Sequence, residues 1–330
     1  MNRDSTPFSR KSERKGAREA AQEWLASNSW DVDWNVDELV AAKRGRTISV
    51  VLPALDEEAT VANVVASIMP LHGTLVDEVV VVDSGSVDDT RRCAAEAGAR
   101  IETREAALPE VPVIPGKGEV LWRSLAVTTG DIVVFVDSDL IDPDPSYVPR
   151  LVGPLLVTPG LHLVKGYYRR PLMGVDGVDP LGGGRVTELT VRPLIAAFRP
   201  ELAAVVQPLA GEYAGTRELL TSIPFAAGYG VEIGMLLDTL DRYGMSAIGQ
   251  SRLGTRMHRN RPLHELGAMA RQIVTTLLGR VGVDDSASPL LQFIVDDDAL
   301  DVRSHQPVRD DRPPMNEVLG RRAALSSRVS

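Results

Sequence analysis

Short runs of apolar residues recur in the first half of the chain, and segments with helical spacing separate them. The runs are "TISVVL" at 47–52, "VVVV" at 79–82 and "IVVFV" at 132–136. Each is rich in β-branched residues and continuous rather than alternating, which is typical of a strand covered on both faces. Strands separated by helices favour right-handed crossovers, so the pattern predicts a doubly wound, mostly parallel α/β sheet.

Polar clusters end all three runs: "PALDEE" at 53–58, "DSGSVDDT" at 83–90 and "DSDL" at 137–140. In a sheet of this kind, ligands bind outside the carboxyl ends of the strands. We therefore expect a binding site at this edge, where Asp56, Glu57, Asp83 and Ser84 could hydrogen-bond a ribose or a base. Residues of these types also cap helices, and each cluster taken alone fits either interpretation.

The second half is less regular, and neither end of the chain predicts a stable core element. The acidic, tryptophan-containing stretch "NSWDVDWNVDELVAAKRGR" predicts a short arm and a helix before the first strand. Residues 1–20 are polar, which predicts disorder, and the polar, proline-containing tail from Asp301 predicts a segment that is loose or stabilised by a partner. Three helices and one extended segment are predicted between them: "VTELTVRPLIAAF" interrupted at Pro193, "GVEIGMLLDTLDRYG" ending at Gly244, "LHELGAMARQIVTTLLGRVG", and the extended "AIGQSRLGTRMH".

Charge and composition exclude several classes of function. The formal net charge is −9 and the pI about 5.2, which argues against nucleic acid or an anionic membrane surface as the main partner. The single cysteine, Cys93, cannot form an intramolecular disulfide and fits a reducing compartment. No apolar stretch is long enough to span a membrane, and the charged start lacks a signal peptide. We therefore expect a soluble cytoplasmic protein.

Asp137 and Asp139 follow the third apolar run at a spacing that suggests a metal. In an extended chain their carboxylates point to one side and Ser138 to the other. Two like charges this close favour a bound cation, and a hard divalent metal held through oxygen is the usual one. The same spacing occurs at 31/33, 142/144 and 296/298, so the motif alone also fits a solvated strand end.

Three further segments carry groups suited to anions. Lys117 lies between two glycines before an amphipathic helix, "GGGRVTEL" at 182–189 places Arg185 at a helix start, and Arg256 and His258 share a face in "GTRMHRNRPL" with Asn260 next. Helix starts and arginines bind phosphate, and an imidazole can complete a metal site. The alternatives are a solvated lysine, a hinge and an ordinary histidine, and spacing does not decide between them.

Together these segments resemble the GT-A glycosyltransferases and, closely, the glucosyl-3-phosphoglycerate synthases, which are retaining enzymes of actinobacterial methylglucose lipopolysaccharide synthesis. The resemblance covers about residues 47–270. It is carried, in order, by "TISVVLPALDEEATV", "VVDSGSVDDT", "PGKGEVLWRSLA", "VDSDLIDPDP", "GGGRVTEL", "GYGVEIG" and "HRNRPL".

The resemblance implies roles for individual residues. The nucleotide would be lined by Pro53, Ala54, Leu55, Asp56, Glu57, Ser84 and Lys117, and the sugar nucleotide contacted by Asp137 and Ser138. Tyr229, Glu232 and Arg256 would close over the donor; Gly184, Arg185, Val186, Thr187 and Asn260 would hold 3-phosphoglycerate; Asp139 and His258 would ligate Mg²⁺ or Mn²⁺. Glu232, Asp137 and Lys117 would be the catalytic residues. The family usually has Asn where Asp56 stands, which leaves the nucleotide contact at this position open.

The implied reaction transfers glucose from UDP-glucose to the 2-hydroxyl of 3-phosphoglycerate with retention. The implied organisation is an arm and short helix at 1–45, a nucleotide-sugar-binding half at 46–160, an acceptor-binding and dimerisation half at 161–300, and a loose tail at 301–330. The chain is expected to assemble as a homodimer. Two alternatives are a GT-A transferase for another phosphorylated acceptor, such as a lipid phosphate, and a noncatalytic nucleotide-sugar-binding protein.

Overall fold

The computed structural model describes residues 7–174, 177–179, 183–226, 228–256, 262–296 and 299–329. Strands alternate with helices through the first half, as the apolar runs predict. The strands are β1 (Ser29–Trp30), β2 (Ile48–Ala54), β3 (Glu78–Asp83), β4 (Arg100–Thr103), β5 (Ile132–Phe135), β6 (Leu163–Arg169), β7 (Leu172–Gly174), β8 (Gly177–Asp179), β9 (Tyr213–Thr216), β10 (Phe225–Ala226), β11 (Ile248–Thr255), β12 (Leu290–Asp296), β13 (Ala299–His305) and β14 (Asp311–Arg312).

Helices cover both faces of the sheet. They are α1 (Pro7–Asn28), α2 (Val36–Lys43), α3 (Val61–Ile68), α4 (Thr90–Glu96), α5 (Arg104–Ala107), α6 (Lys117–Val127), α7 (Tyr147–Val157), α8 (Arg192–Phe198), α9 (Arg217–Ser222), α10 (Val231–Tyr243), α11 (Leu263–Arg280) and α12 (Met315–Val329). A π-helical turn, Thr187–Val191, leads directly into α8, which has Pro193 in its first turn. The predicted interruption is therefore a change in helix type rather than a break: the backbone stays helical through Val191 and Arg192, and the π-helical turn ends just before Pro193, which has no N–H to donate.

The central sheet has eight strands in the order β1-β11-β6-β9-β5-β2-β3-β4. All neighbours are parallel except β9, which runs antiparallel to both β5 and β6. The predicted mostly parallel α/β sheet is thus confirmed. β5, β2 and β3 are adjacent, so their three polar ends meet at one edge.

Side chains of the central strands alternate between two apolar layers. Val50 and Leu52 of β2 pack into one layer, whereas Val51 packs into the other with Phe135 of β5. Both faces of these strands are buried, which explains why the sequence there is continuously apolar.

Two expectations for the chain ends are wrong. Helix α1 occupies most of the N-terminal segment predicted to be disordered, and Trp24 Nε1 ties it to the carbonyl of Met245 at 3.0 Å. The segment after residue 301 forms the end of β13, then β14 and α12, with Met315 fully buried. Charge and proline content predicted loose structure at both ends of the chain. Both ends are instead held in place by a few apolar and aromatic side chains that pack against residues distant in sequence.

Candidate active site

A cavity of about 940 Å³ lies at the carboxyl ends of β2, β3 and β5. It brings together groups from both halves of the chain. Its lining includes these predicted residues: Pro53, Ala54, Leu55, Glu57, Ser84, Lys117, Asp137, Ser138, Asp139, Gly184, Arg185, Val186, Thr187, Tyr229, Glu232 and Arg256. The edge of the sheet is therefore a continuous pocket, as the strand ends predict.

The turn after β5 presents the two predicted aspartates to this cavity. Ser138 is buried and its hydroxyl donates to the carbonyl of Pro53 at 2.6 Å, which anchors the turn to β2. Asp137 and Asp139 both accept from one guanidinium nitrogen, Nη2 of Arg256, at 3.1 and 2.8 Å. The carboxylates thus converge on one cation, as the spacing predicts, and in this structure the cation is an arginine side chain.

Arg256 is held from behind by a buried carboxylate that the sequence did not reveal. Its Nη1 lies 2.9 Å from Oε1 of Glu212 and donates to the hydroxyl of Tyr168 at 2.9 Å. Burial raises the pKa of Glu212, although Arg256 opposes this shift. Burial alone would lower the pKa of Arg256, but Glu212, Tyr168, Asp137 and Asp139 hold it well above its usual range.

Lys117 is the second cation of the site. Its ammonium donates to Oδ1 of Asp137 at 2.7 Å and lies 2.9 Å from Oε1 of Glu232. Burial alone would lower the pKa of Lys117, but Asp137 and Glu232 outweigh it and hold that pKa well above its usual value. Burial would raise the pKa of Asp137, yet Lys117 and Arg256 together keep it far below its usual value. Asp137 and its two cationic partners, Lys117 and Arg256, are therefore charged at neutral pH.

A close backbone approach makes room for Asp137. A Cβ added to Gly211 would lie 2.2 Å from Oδ2 of Asp137, far inside van der Waals contact. Glycine is required here because the chain entering β9 passes directly against the carboxylate.

Lys165 is a further buried cation behind the cavity. Its Nζ donates to the carbonyl of Ala210 at 2.6 Å and lies 4.2 Å from the ring centroid of Tyr213. Burial lowers the pKa of Lys165 to about 7. This side chain therefore gains or loses a charge close to neutral pH.

The end of the cavity that was predicted to hold the acceptor is a glycine turn before the π-helical turn. Gly184 has φ 78°, a conformation that favours glycine, and its carbonyl accepts from the N–H of Glu188 at 3.0 Å. Arg185, Val186 and Thr187 follow and face the cavity. N–H groups at a helical start beside an arginine suit a phosphate or carboxylate.

The end of the cavity that was predicted to hold the nucleotide differs from the prediction at two residues. Asp83 is buried beneath the cavity lining, where its carboxylate accepts from the N–H groups of Gly85 and Ser86. Asp56 is absent from the lining; it has φ 55°, and its Oδ1 accepts from the N–H of Val87 at 2.9 Å. Asn and Asp both tolerate this left-handed conformation and both offer an oxygen acceptor. An aspartate in place of the family's usual asparagine therefore preserves the hydrogen bond from the N–H of Val87 to the side chain of residue 56.

Some predicted residues lie outside the described part, and some described residues were missed. His258 and Asn260 fall in residues 257–261, which the structure does not describe. Among the described residues, no three His, Cys, Asp or Glu side chains converge as a metal site. The sequence missed Arg104, Arg170 and Gly211, which line the cavity. Each lies beside a predicted residue in space, but no motif marks it.

In the described ranges, no helix is both long and apolar enough to cross a membrane. A parallel sheet whose edge combines paired carboxylates, two cations and a glycine-rich helix start is the architecture of a GT-A glycosyltransferase. The family model of glycosyl transferase family 2 matches residues 49–170, which include β5, the two aspartates and all of β2 except its first residue.

Relatives that match most of the chain define the family within the glycosyltransferases. The glucosyl-3-phosphoglycerate synthase of Mycolicibacterium smegmatis is 62% identical over 296 residues, covering 89% of this chain and 98% of the relative. That of Mycobacterium tuberculosis H37Rv is 63% identical over 288 residues, covering 86% and 89%. The chain belongs to the glucosyl-3-phosphoglycerate synthase family of glucosyltransferases.

Solved structures agree with this assignment. The Mycobacterium tuberculosis enzyme in complex with Mn²⁺, UDP and glucosyl-3-phosphoglycerate matches with a TM-score of 0.82 and 58% identity, covering 88% of this chain and 99% of that one. A second structure of that enzyme, with Mn²⁺, UDP-glucose and phosphoglyceric acid, matches with a TM-score of 0.81 and 58% identity, covering 88% and 98%.

Proposed function

We propose that this chain transfers the glucosyl group of UDP-glucose to the 2-hydroxyl of 3-phosphoglycerate, with retention at the anomeric carbon and a divalent metal. The observation that carries the proposal is the single cavity that joins the cluster of Lys117, Asp137, Asp139 and Arg256 to the glycine turn at 184–187. One end offers charges for a diphosphate, and the other offers N–H groups and Arg185 for an anionic acceptor.

The donor set suits Mg²⁺ or Mn²⁺. Asp137 and Asp139 present carboxylate oxygens, the ligands that hard cations prefer, and they already converge on a positive group. Asp139 would hold the metal with His258, and Asp137 and Ser138 would contact the sugar nucleotide. A metal bound there would neutralise phosphate oxygens of the donor. The solved relatives contain Mn²⁺ or Mg²⁺ with UDP, which supports this part of the proposal.

The chain's own residues would supply the remaining catalysis. The bond from the anomeric carbon to the diphosphate oxygen breaks, and negative charge develops on the departing UDP. Lys117 and Arg256 would offset that charge from fixed positions, which is commonly the largest catalytic contribution. The acceptor 2-hydroxyl attacks on the face that UDP leaves, and its proton passes to the departing phosphate. Glu232, held 2.9 Å from Lys117, would orient the glucose.

Substrate contacts follow the two ends of the cavity. The proposed nucleotide contacts are Pro53, Ala54, Leu55, Glu57 and Ser84, with Tyr229 closing over the donor. Asp56 would act through the backbone, because its carboxylate bonds to Val87. The proposed acceptor contacts are Gly184, Arg185, Val186 and Thr187, with Asn260 beside them.

We also propose a homodimer, supported by an apolar face on the ribbon of β12 and β13. Leu291, Phe293 and Val295 alternate along β12, and Phe293 and Val295 pair with Val302 and Leu300 of β13, so the five side chains share one face. All five are at least half exposed in the single chain. A two-stranded ribbon with an uncovered apolar face is marginal alone, and a second copy would cover it.

A cytoplasmic location and a role in methylglucose lipopolysaccharide synthesis stay predictions. The first rests on the single cysteine, which is free in the structure, and the second on the family resemblance. Cell fractionation tests the location, and the polysaccharide content of a strain without the protein tests the pathway.

The decisive experiment incubates the purified protein with Mg²⁺, UDP-glucose and 3-phosphoglycerate and characterises the product by mass spectrometry and by its anomeric proton coupling. An α-linked glucosyl-3-phosphoglycerate that forms only with metal is expected. Transfer to polyprenyl phosphate instead would favour a lipid-phosphate acceptor. Binding of UDP-glucose without hydrolysis or transfer would favour a noncatalytic sensor.

A further inference from the structure

The C-terminal segment from Val308 to Met315 lies against both walls of the cavity. Val308 itself lines the cavity. Strand β14 pairs antiparallel with β10, Phe225 opposite Arg312 and Ala226 opposite Asp311. Trp122 of α6 donates its indole N–H to the carbonyl of Pro313 at 2.8 Å. This segment therefore joins α6 on one side to the strand before Tyr229 on the other.

Arg312 makes the main polar contact of the segment, with Glu119 of α6. Its Nε lies 2.5 Å from Oε2 and its Nη2 lies 2.7 Å from Oε1, which is a two-bond arginine–carboxylate pair. Arg312 also donates to the carbonyl of Pro112 at 2.6 Å and stacks over the ring of Trp122 at 5.1 Å. Glu119 is fully buried and is shared with Arg123 at 2.6 Å.

The first turn of α6 depends on this pair because it has no side-chain cap. The cap position is Gly116, at φ 125°, and it has no side-chain oxygen to accept from the N–H groups of the turn. Glu119, two residues after Lys117, is held by Arg123 of the same helix and, from outside the helix, by Arg312. The position of the Lys117 ammonium near Asp137 and Glu232 therefore rests on Glu119 and its partners.

The opposite wall is tied to the same segment. Asp311 forms an ion pair with Arg280 of α11 at 2.5 Å, and Arg280 also pairs with Asp238 of α10 at 2.7 Å. Glu232 lies in the first turn of α10. The Lys117–Glu232 contact crosses between the two walls that residues 308–315 join.

We propose that Arg312 is a positioning residue of the active site, which acts through Glu119 to hold Lys117 against Asp137 and Glu232. This inference deepens the proposed function and rests on it for the role of Lys117 toward the donor diphosphate. Arg312 does not line the cavity, so it affects the donor only through α6.

The test compares Arg312→Met with Arg321→Met, a control that removes the same charge from an exposed arginine of α12. Affinity for UDP with Mg²⁺ is measured by calorimetry and turnover by product formation, at a temperature where circular dichroism shows both variants folded. A small displacement remote from the reacting atoms can reduce turnover about 10- to 100-fold, and we expect a loss in this range for Arg312→Met and none for the control.

A double-mutant cycle separates positioning from general destabilisation. The effect of Arg312→Met on UDP affinity should vanish when Lys117→Ala is already present, because Arg312 then has no ammonium to hold. The proposal is overturned if Arg312→Met reduces UDP affinity equally in the presence and absence of Lys117. It is also overturned if Arg312→Met has the UDP affinity and turnover of the wild type.

If Arg312→Met does not fold, Arg312→Lys keeps a charge beside Glu119 and loses the two-bond geometry. Faster hydrogen exchange of the amides at 118–123 than in wild type is expected, and unchanged exchange there refutes the inference. UDP binding and hydrogen exchange need no acceptor. A wild-type protein that binds UDP but transfers no glucose would therefore refute the proposed reaction and leave this test intact.

Discussion

Nη2 of Arg256 lies 2.8 Å from Oδ1 of Asp139, the carboxylate that we propose as a metal ligand. The same nitrogen bonds to Asp137, so one guanidinium neutralises both carboxylates of the motif. An incoming divalent cation would compete with that guanidinium. The contacts of Nη1 with Glu212 and Tyr168 would still hold Arg256 in place, so its charge would stay beside the diphosphate of the donor.

Asp139→Ala should reduce glucosyl transfer by at least about a hundredfold while the fold remains, because metal contacts to a phosphoryl oxygen contribute several kcal/mol to transition-state stabilisation. The product assay measures the loss, and calorimetry with Mn²⁺ and UDP measures metal-dependent binding. Asp142→Ala is the matched control, since Asp142 has the same spacing to Asp144 but lies outside the cavity lining. Retained turnover in Asp139→Ala would refute the metal assignment.

Glu212→Ala should destabilise the protein as well as the site. The variant leaves the buried Arg256 with only part of its compensating charge, and breaking a buried pair costs about 3–5 kcal/mol in the free energy of unfolding. Urea denaturation measures it. Glu188→Ala removes an exposed partner of Arg192 and should cost no more than about 1 kcal/mol. Equal losses in the two variants would contradict the structural role of Glu212.

Gly211→Ala should impair donor turnover through Asp137. The added methyl would lie 2.2 Å from Oδ2, so the carboxylate has to move away from Lys117 and Arg256. We expect a loss of about tenfold or more, since misplacement by an ångström is costly in catalysis. Gly279→Ala is the control, because nothing lies within 4 Å of its added Cβ. Wild-type kinetics in Gly211→Ala would show that Asp137 has no fixed role.

The sequence predicted the strands that carry the site because burial on both faces imposes a continuous apolar run. It did not predict β9, "YAGT", which is short, contains glycine and lacks an apolar run. Glu212 just before β9 was missed for the same reason, since its contact with Arg256 spans 44 residues. Local sequence patterns predict local structure. The ion pair of Glu212 with Arg256 depends instead on the position of β9, which is inserted antiparallel between β5 and β6.

Motif residues were better predicted than their surroundings. Lys117, Asp137 and Arg256 meet in the cavity as the ordered motifs imply, because each lies at an element end that points to the same sheet edge. Arg312 was assigned to a loose tail, since "DDRPPM" has the composition of a turn. Its order comes from Glu119 and Trp122, which are distant in sequence.

Phe293→Asp should convert the proposed homodimer into a monomer. The substitution places a charge in the middle of the apolar face of β12 and β13, and burying it in an interface is strongly unfavourable. Light scattering during size-exclusion chromatography measures the mass. Arg303→Ser alters the other face of the ribbon and should leave the dimer unchanged. A wild-type protein that elutes as a monomer would contradict the homodimer outright.

Glu78 should make stability depend on pH in the acidic range. Burial alone would raise the pKa of Glu78, but hydrogen bonds from Ser49, Thr129 and Arg100 lower it to about 2 from 4.5. Because the pKa is lower in the folded state, the stabilisation is complete above about pH 4.5 and is lost as the pH falls toward 2. Allowing for partial solvent access, the contribution at neutral pH is about 2 kcal/mol.

Glu78→Gln should therefore lower the free energy of unfolding by about 2 kcal/mol at pH 7, and the difference from wild type should shrink steadily below about pH 4.5. Urea denaturation at a series of pH values gives both curves. Glu110→Gln changes an exposed carboxylate that lies 3.6 Å from Arg322 and should give a small difference at every pH. A difference for Glu78→Gln that stays constant from pH 7 to pH 3 would mean that its carboxylate titrates alike in the folded and unfolded chains. The bonds to Ser49 and Thr129 would then contribute no preference for the charged form.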